Sequence, residues 1–145
     1  MAALTFPSVD WFDAIRNMMN NDPEFRKLGT CDAEVGIEVR DTGQRFVLTF
    51  EAFECTGVRE ATQAELDATD FYLSMDLADW KEMIQNIKQN GGADLDHTLN
   101  TLDMAREDSL AHSKDEYRRD LFYRFNQTFQ DFFNASAKLD TNFPN

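Results

Sequence analysis

The sequence predicts an α+β domain, a small antiparallel sheet of three to four strands with helices packed on one face, and three observations predict it. Between Cys31 and Ala61 apolar residues recur mostly at every second position, the period of a strand with one wet face. On either side of that region they recur at every third and fourth position, the period of an amphipathic helix. The elements also come in blocks, a helix, then strands, then three helices, which favours helices gathered on one sheet over an alternating α/β order.

Ser8 is placed to cap a first helix running to about Asn20, with Trp11, Phe12, Ile15, Met18 and Met19 on one face. Asp22-Pro23 restarts a short helix carrying Phe25 and Leu28, which Gly29 ends. Cys31, Ala33, Val35, Ile37 and Val39 then alternate with polar residues, Asp41-Thr42-Gly43 turns the chain, and Gln44 to Glu54 returns with Phe46, Leu48, Phe50 and Ala52 on one side. Val58 to Ala61 reads as a short third strand, and Thr62 to Ala68 as polar connection. Asp70 to Met75 alternates again, and Asp76 caps a helix from Leu77 to about Asn90 whose face is Leu77, Trp80, Met83, Ile84 and Ile87, stopped by Gly91-Gly92. A helix from about Asp94 to Met104 carries Leu95, Leu99 and Leu102, and Ala105 to His112 reads as a charged loop.

The last stretch, Ser113 to about Leu139, reads as a single helix of about 40 Å opened by a Ser113/Glu116 capping box. Tyr117, Leu121, Phe122, Phe125, Phe129, Phe132 and Phe133 share one face. That face spans about 160°, where a helix resting on a single neighbour shows a stripe of roughly 100°. Such width calls for two apolar partners, and three arrangements supply them: ordinary core, the lining of a ligand cavity, or a homodimer seam along this helix. Arg118 projects into the middle of the arc, so either the arc has not yet entered the core there or Arg118 is a buried cation that seeks a carboxylate, which a ligand's acid group could supply.

The chain has 145 residues, 42% of them hydrophobic and 12% aromatic, including thirteen Phe, enough for one domain with a real core. Its net charge of -13, from 14 basic and 27 acidic residues, disfavours nucleic acid and anionic membrane surfaces, which are bound through Lys and Arg. There is no basic start with an apolar run for a signal peptide, no span of membrane length and no peroxisomal ending, so the expectation is a cytoplasmic protein with no stable membrane insertion. Cys31 and Cys55, near opposite ends of the hairpin, are expected as reduced, semi-buried thiols, and their spacing supports no zinc site.

Several of these pieces together resemble a bacterial sterol-carrier-protein domain: Asp10-Trp11 on a first helix, Asn21-Asp22-Pro23-Glu24-Phe25, an acidic hairpin, and a strand leading into Asp76-Leu77-Ala78-Asp79-Trp80. The resemblance covers about residues 6–90 of a single domain, 1–145, and leaves 91–145 as a divergent, all-helical extension. It implies an apolar tunnel between sheet and helices that holds fatty acids, sterols or similar lipids, usually without chemistry. The acidic charge weighs against acyl-coenzyme A, whose phosphates want a cationic cluster. Lys81 and Lys88, seven apart on the Trp80 helix, are the best pair available and read as a solvated face.

The expected ligand lining combines Trp11 and Ile15 of the first helix, Phe46, Leu48, Phe50, Phe71 and Leu73 of the sheet, and Trp80, Met83 and Ile84 of the middle helix. Arg118, Phe125, Phe129 and Phe133 complete it from the last helix. A first alternative is a small cofactor-independent isomerase, cyclase or dehydratase acting on an apolar substrate. Asp96, Asp103 or His97 would then move a proton at the pocket's rim, since carboxylates beside apolar surface acquire raised pKa values. Asp96, Asn100 and Asp103 share one polar strip, and His97 falls opposite the leucine stripe. A second alternative is a homodimeric interaction module with no ligand. No metal site, no cofactor, no Ser-His-Asp arrangement and no phosphate-cradling glycine loop is expected.

Overall fold

The computed structural model describes residues 3–26, 32–52, 54–105, 110–113 and 115–143. Strands β1 (Leu4–Thr5) and β7 (Thr141–Asn142) pair in parallel and tie the two ends of the chain together. The main sheet has five strands in the order β4 (Glu54–Glu60), β3 (Gln44–Glu51), β2 (Ala33–Val39), β5 (Phe71–Met75) and β6 (Ala111–His112). The α+β class is as expected, but the sheet is wider and mixed: β2 and β5 run parallel, and the other pairs antiparallel. One strand accounts for the extra width: the two-residue β6 lies where a charged loop was expected, too short to carry an alternating signal, while β4, expected from Val58 to Ala61, begins already at Glu54. With β6 and β7 present, the C-terminal third is not all helical. Leu28, Gly29, Cys31 and Phe53 fall outside the described residues.

Helix α1 (Val9–Asn20) begins where expected, the Ser8 hydroxyl accepting from Trp11 N–H at 3.1 Å. Asn20 pins its far end to β4, donating to Cys55 O at 2.9 Å and accepting from Cys55 N–H at 3.0 Å. The short helix α2 (Pro23–Arg26) follows. Helix α4 (Leu77–Asn90) starts after Asp76, but the Asp76 carboxylate makes no cap bond. It faces Arg40, while Asp41 accepts the Leu77 N–H at 2.9 Å. The helix ends on Gly91 at φ +74, a left-handed cap that favours glycine. Helix α5 is shorter than expected, Leu99–Ala105, because Asp94 to Thr98 forms turns; Leu95, expected on the apolar stripe, is 86% exposed.

The last stretch is not one helix. α6 (Glu116–Arg124) and α7 (Asn126–Asn134) meet at Phe125, whose φ of -110 and ψ of 17 leave the helical region, and a 3-10 turn, Ala135–Lys138, continues α7. Asp115, not Ser113, caps α6 by accepting from Tyr117 N–H at 2.9 Å; the Ser113 hydroxyl instead donates to Asp70 O at 2.7 Å. The bend explains the over-wide apolar arc. Phe122 of α6 packs on Phe71 of β5 at 5.8 Å between ring centroids. On α7, Phe129 meets Phe50 and Phe71, each at 5.3 Å, and Phe133 meets Trp80 at 5.6 Å. Two helices with two faces thus replace one helix with a doubled face, and Phe122, Phe129, Phe132 and Phe133 are all buried within the chain.

The helices are not confined to one face of the sheet. Thr62 to Ala68, expected as connection, contains helix α3 (Gln63–Asp67), opened by a full capping box between Thr62 and Glu65. It seals the outer face: Leu66 is fully buried, and a Cβ added to Gly36 would lie 2.3 Å from Leu66 Cδ1 and 2.6 Å from Tyr72 Cβ. Beside it Glu38, 9% exposed, accepts from Ser74 Oγ at 2.8 Å and from Arg45 Nε at 3.0 Å.

Candidate functional site

The inner face of the sheet and the helices above it bring most of the expected lining together. Trp11 and Ile15 of α1, Phe46, Leu48 and Phe50 of β3, Phe71 and Leu73 of β5, Trp80, Met83 and Ile84 of α4, and Phe129 and Phe133 of α7 are each 3% exposed or less and belong to one cluster. Their alternation on the strands and their three-and-four spacing on the helices put every one on the same side. The two indoles are anchored by their N–H groups: Trp80 Nε1 donates to Glu38 O at 3.0 Å, and Trp11 Nε1 to Thr141 Oγ1 at 3.0 Å. Phe125, at the helix break, is only half-buried against this layer.

Arg118 does not join it. Its side chain is 55% exposed with Asp70 Oδ1 3.9 Å from its Nε, so of the two expectations the first holds: the arc has not entered the core at Arg118, which is a surface ion pair and not a buried cation. α6 packs on β5, β6 and α7, and Arg118 lies on its exposed side. Arg119 instead donates from Nε to Ala111 O at 2.9 Å.

Two cavities open at the margins of the apolar layer. The larger, about 520 Å³, lies between the end of α1 with α2 and the end of α7, lined by Met18, Met19, Asn21, Asp22, Pro23, Glu24, Phe25, Asp131, Asn134, Ala135 and Lys138. Its apolar floor is continuous with the core, because Met19 and Phe25 are core residues and Met18 and Ala135 pack against them. The Asp131 carboxyl is pushed above its ordinary value by burial and by the negative charge of Asp22, against a hydrogen bond from Gln127 at 2.8 Å. The smaller cavity, about 320 Å³, lies between α4 and the C-terminal strand, lined by Ala3, Ile84, Gln85, Lys88, Leu139, Asp140, Thr141, Asn142 and Phe143. Ile84 is the expected lining residue that these two cavities reach. Lys88 donates to Ala137 O at 3.1 Å and Leu139 O at 2.9 Å, and Lys81 sits 5.7 Å above the Phe143 ring. The two lysines therefore hold the C-terminal strap and are more than a solvated face.

The larger cavity was not foreseen. Met18, Met19 and Phe25 carry the helical signal, but nothing in their spacing says that residues more than a hundred positions later form the opposite wall. The restart at Asp22-Pro23, which swings the chain away at the end of α1, is the signal that could have found it.

The catalytic candidates are not convergent. Asp103 is 3% exposed, accepting from Ala111 N–H at 2.9 Å and from Tyr123 OH at 2.6 Å with Arg119 3.7 Å away, and so faces inward as the tie between α5, β6 and α6. His97 lies between Asp94, whose Oδ1 is 2.6 Å from its Nδ1, and Glu82, whose Oε2 is 3.3 Å from its Nε2. The Asp94 hydrogen bond holds the imidazole above its ordinary pKa. Asp96 is exposed, its N–H donating to Asp94 Oδ1 at 3.0 Å. Asp103 and Asp96 therefore do not share the expected strip. Among the described residues no group of three or more histidines, cysteines and carboxylates is placed to hold a metal ion. Burial pushes the Cys55 thiol up to about 12, which suits an inert thiol.

No protein-family model and no curated protein sequence matches the chain. Solved structures do. The crystal structure of sterol carrier protein 2 aligns with a TM-score of 0.66 over 91% of this chain and 97% of that one, at 17% identity. The chain has a sterol-carrier-like fold. A second sterol-carrier-like structure, the solution structure of a conserved hypothetical protein from Thermus thermophilus, itself described as a candidate sterol carrier protein, aligns with a TM-score of 0.59 over 93% of this chain and 90% of that one, at 15% identity. The sterol-carrier-like likeness thus covers more of the chain than the residues 6–90 that carried the resemblance in the sequence. Among the described residues no helix is long and apolar enough to cross a membrane.

Proposed function

We propose that this protein binds and carries a lipid or other apolar small molecule, without chemistry and in the cytoplasm. The observation that carries the reading is the sterol-carrier-like fold over nine-tenths of the chain, and two features support it. The layer between sheet and helices is rich in aromatic rings that exclude water, and the cavity of about 520 Å³ at its margin falls within the roughly 300 to 1,000 Å³ of ordinary small-molecule sites. The alkyl part of a ligand would extend the core cluster at Met18, Met19 and Phe25, with Trp11, Ile15 and Phe133 behind them. The driving force is desolvation, about 25 cal/mol for each Å² of apolar surface removed from water. The catalytic alternative needs convergent proton-moving groups, and Asp103 and His97 are each engaged elsewhere.

Displacement of an environment-sensitive fluorescent lipid from the delipidated protein tests the reading. Saturable binding that apolar competitors reverse is the expected result; no binding of any long-chain probe would remove it.

A further inference from the structure

Residues 139–143, the strap that carries β7, lie against the deepest part of the aromatic layer. Thr141 Oγ1 accepts from Trp11 Nε1 at 3.0 Å, and the Phe143 ring rests 6.1 Å from that of Phe6. Phe6 in turn meets Trp11 at 4.9 Å and Trp80 at 5.8 Å, and all three are fully buried. Both cavities border this run of chain: Asn134, Ala135 and Lys138 line the larger, α1–α7 cavity, and Leu139 to Phe143 line the smaller one opposite Ile84, Gln85 and Lys88 of α4. The strap's backbone is tied to β1 by the Asp140 and Asn142 carbonyls, which accept from Leu4 and Phe6 N–H at 2.9 Å each. From α4, Lys88 bonds the Ala137 and Leu139 carbonyls and lies 3.5 Å from Asp140, but its side chain is half exposed. Ion pairs in water contribute little, and a segment held by a two-residue ladder and wet bonds opens at far lower free energy than the domain unfolds.

Phe143 is only partly buried, packed on the core from outside with Lys81 5.7 Å above its ring. A hydrocarbon chain laid in its place would lie on Phe6 and Ile84 and continue the apolar layer without a break. We propose that Phe143 is an internal stand-in for the ligand and the strap a displaceable cover: the hydrocarbon chain of a lipid enters between α4 and β1, pushes Phe143 out and so opens a second mouth on the aromatic layer besides the α1–α7 cavity. The inference rests on the carrier reading and assigns the carrier an autoinhibitory contact.

Thr5 and Asn142 are in-register partners of β1 and β7 with both side chains exposed. Thr5→Cys with Asn142→Cys, in a Cys31→Ser background, therefore lets a disulfide lock the strap and a reductant release it, with the cross-link checked by peptide mass spectrometry. Stopped-flow mixing of the delipidated full-length protein with a long-chain fluorescent fatty acid reads uptake. The reduced form should take up the probe at the parent's rate and the oxidised form about tenfold slower or more, because the lock removes the openings that admit the chain. Phe143→Ala leaves the ladder and Lys88 in place and should bind the probe about fivefold tighter, since the ligand no longer has to displace a part-buried ring. Equal uptake by the two redox forms, or Phe143→Ala binding no tighter than the parent, overturns the inference and leaves the carrier reading standing. Where oxidation gives no cross-link, the Phe143→Ala affinity decides alone. If no form takes up the probe, both fall.

Discussion

Removing the Asp103 carboxylate should unfasten the C-terminal half of the domain without touching any ligand. Asp103 is 3% exposed, and its two oxygens accept from Ala111 N–H in strand β6 and from Tyr123 OH in α6. In Asp103→Ala the Ala111 amide is left buried without its acceptor, a cost of about 1 to 3 kcal/mol, whereas Tyr123, 42% exposed, can turn its hydroxyl to water. The Arg119 guanidinium, 3.7 Å away, loses its carboxylate but keeps its bond to Ala111 O. The sum is about 3 kcal/mol, and for a domain of this size that lowers Tm by roughly 10 °C. Asp103→Asn keeps one acceptor oxygen and should lose about 1 kcal/mol. Thermal unfolding by circular dichroism gives the loss, and native-state hydrogen exchange should show the Ala111 amide losing protection first. An Asp103→Ala variant within about 0.5 kcal/mol of the parent, with Ala111 exchange unchanged, would refute the structural role and reopen Asp103 as a residue kept for chemistry.

Other consequences follow from single features. Gly36→Ala places a methyl against Leu66 and the root of Tyr72, where little can yield, and should cost about 1 to 3 kcal/mol in urea unfolding; a neutral change would mean that α3 is not seated on the sheet. His97 is held above its ordinary 6.5 by Asp94, with Glu82 adding, so its protonated form contributes stability that is complete below pH 6.5 and fades as pH rises through the raised value. His97→Gln should therefore flatten the fall of Tm with pH on the alkaline side of 6.5, and a parallel curve would discard the Asp94–His97–Glu82 link. Cys55, with its thiol pushed up to about 12, should resist iodoacetamide at pH 8 until the protein unfolds, as read by peptide mass spectrometry; alkylation at the rate of a free thiol would contradict its burial against Gly57.

How much of this was legible from residues alone depended on length and contrast. α1 and α4 carried both a cap residue and four or more apolar residues at helical spacing, and the β2–β3 hairpin combined alternation, strict in β2 and interrupted by Val47 in β3, with a Gly43 turn, so each signal was redundant. The five-residue α3 offered only its Thr62/Glu65 box, and β6 only two residues, below what any period can reveal. The bend at Phe125 was hidden for the opposite reason: the aromatic spacing runs on through it unbroken, and only the excess width of the arc hinted that two neighbours, and hence two helices, were involved. The same residues read as a ligand lining form the packed centre, because a sequence marks apolar faces but not where they fail to meet. The α1–α7 cavity lies at such a place, where Asp22-Pro23 turns α2 aside and α7 gives way to a 3-10 turn.

The central claim is that an apolar small molecule occupies this fold, and native mass spectrometry of the freshly purified full-length chain tests it most directly. The account predicts a bound mass of lipid size that organic extraction removes and a long-chain probe restores at one equivalent. A bare monomer that takes up no long-chain acid, alcohol or amine after extraction would contradict it.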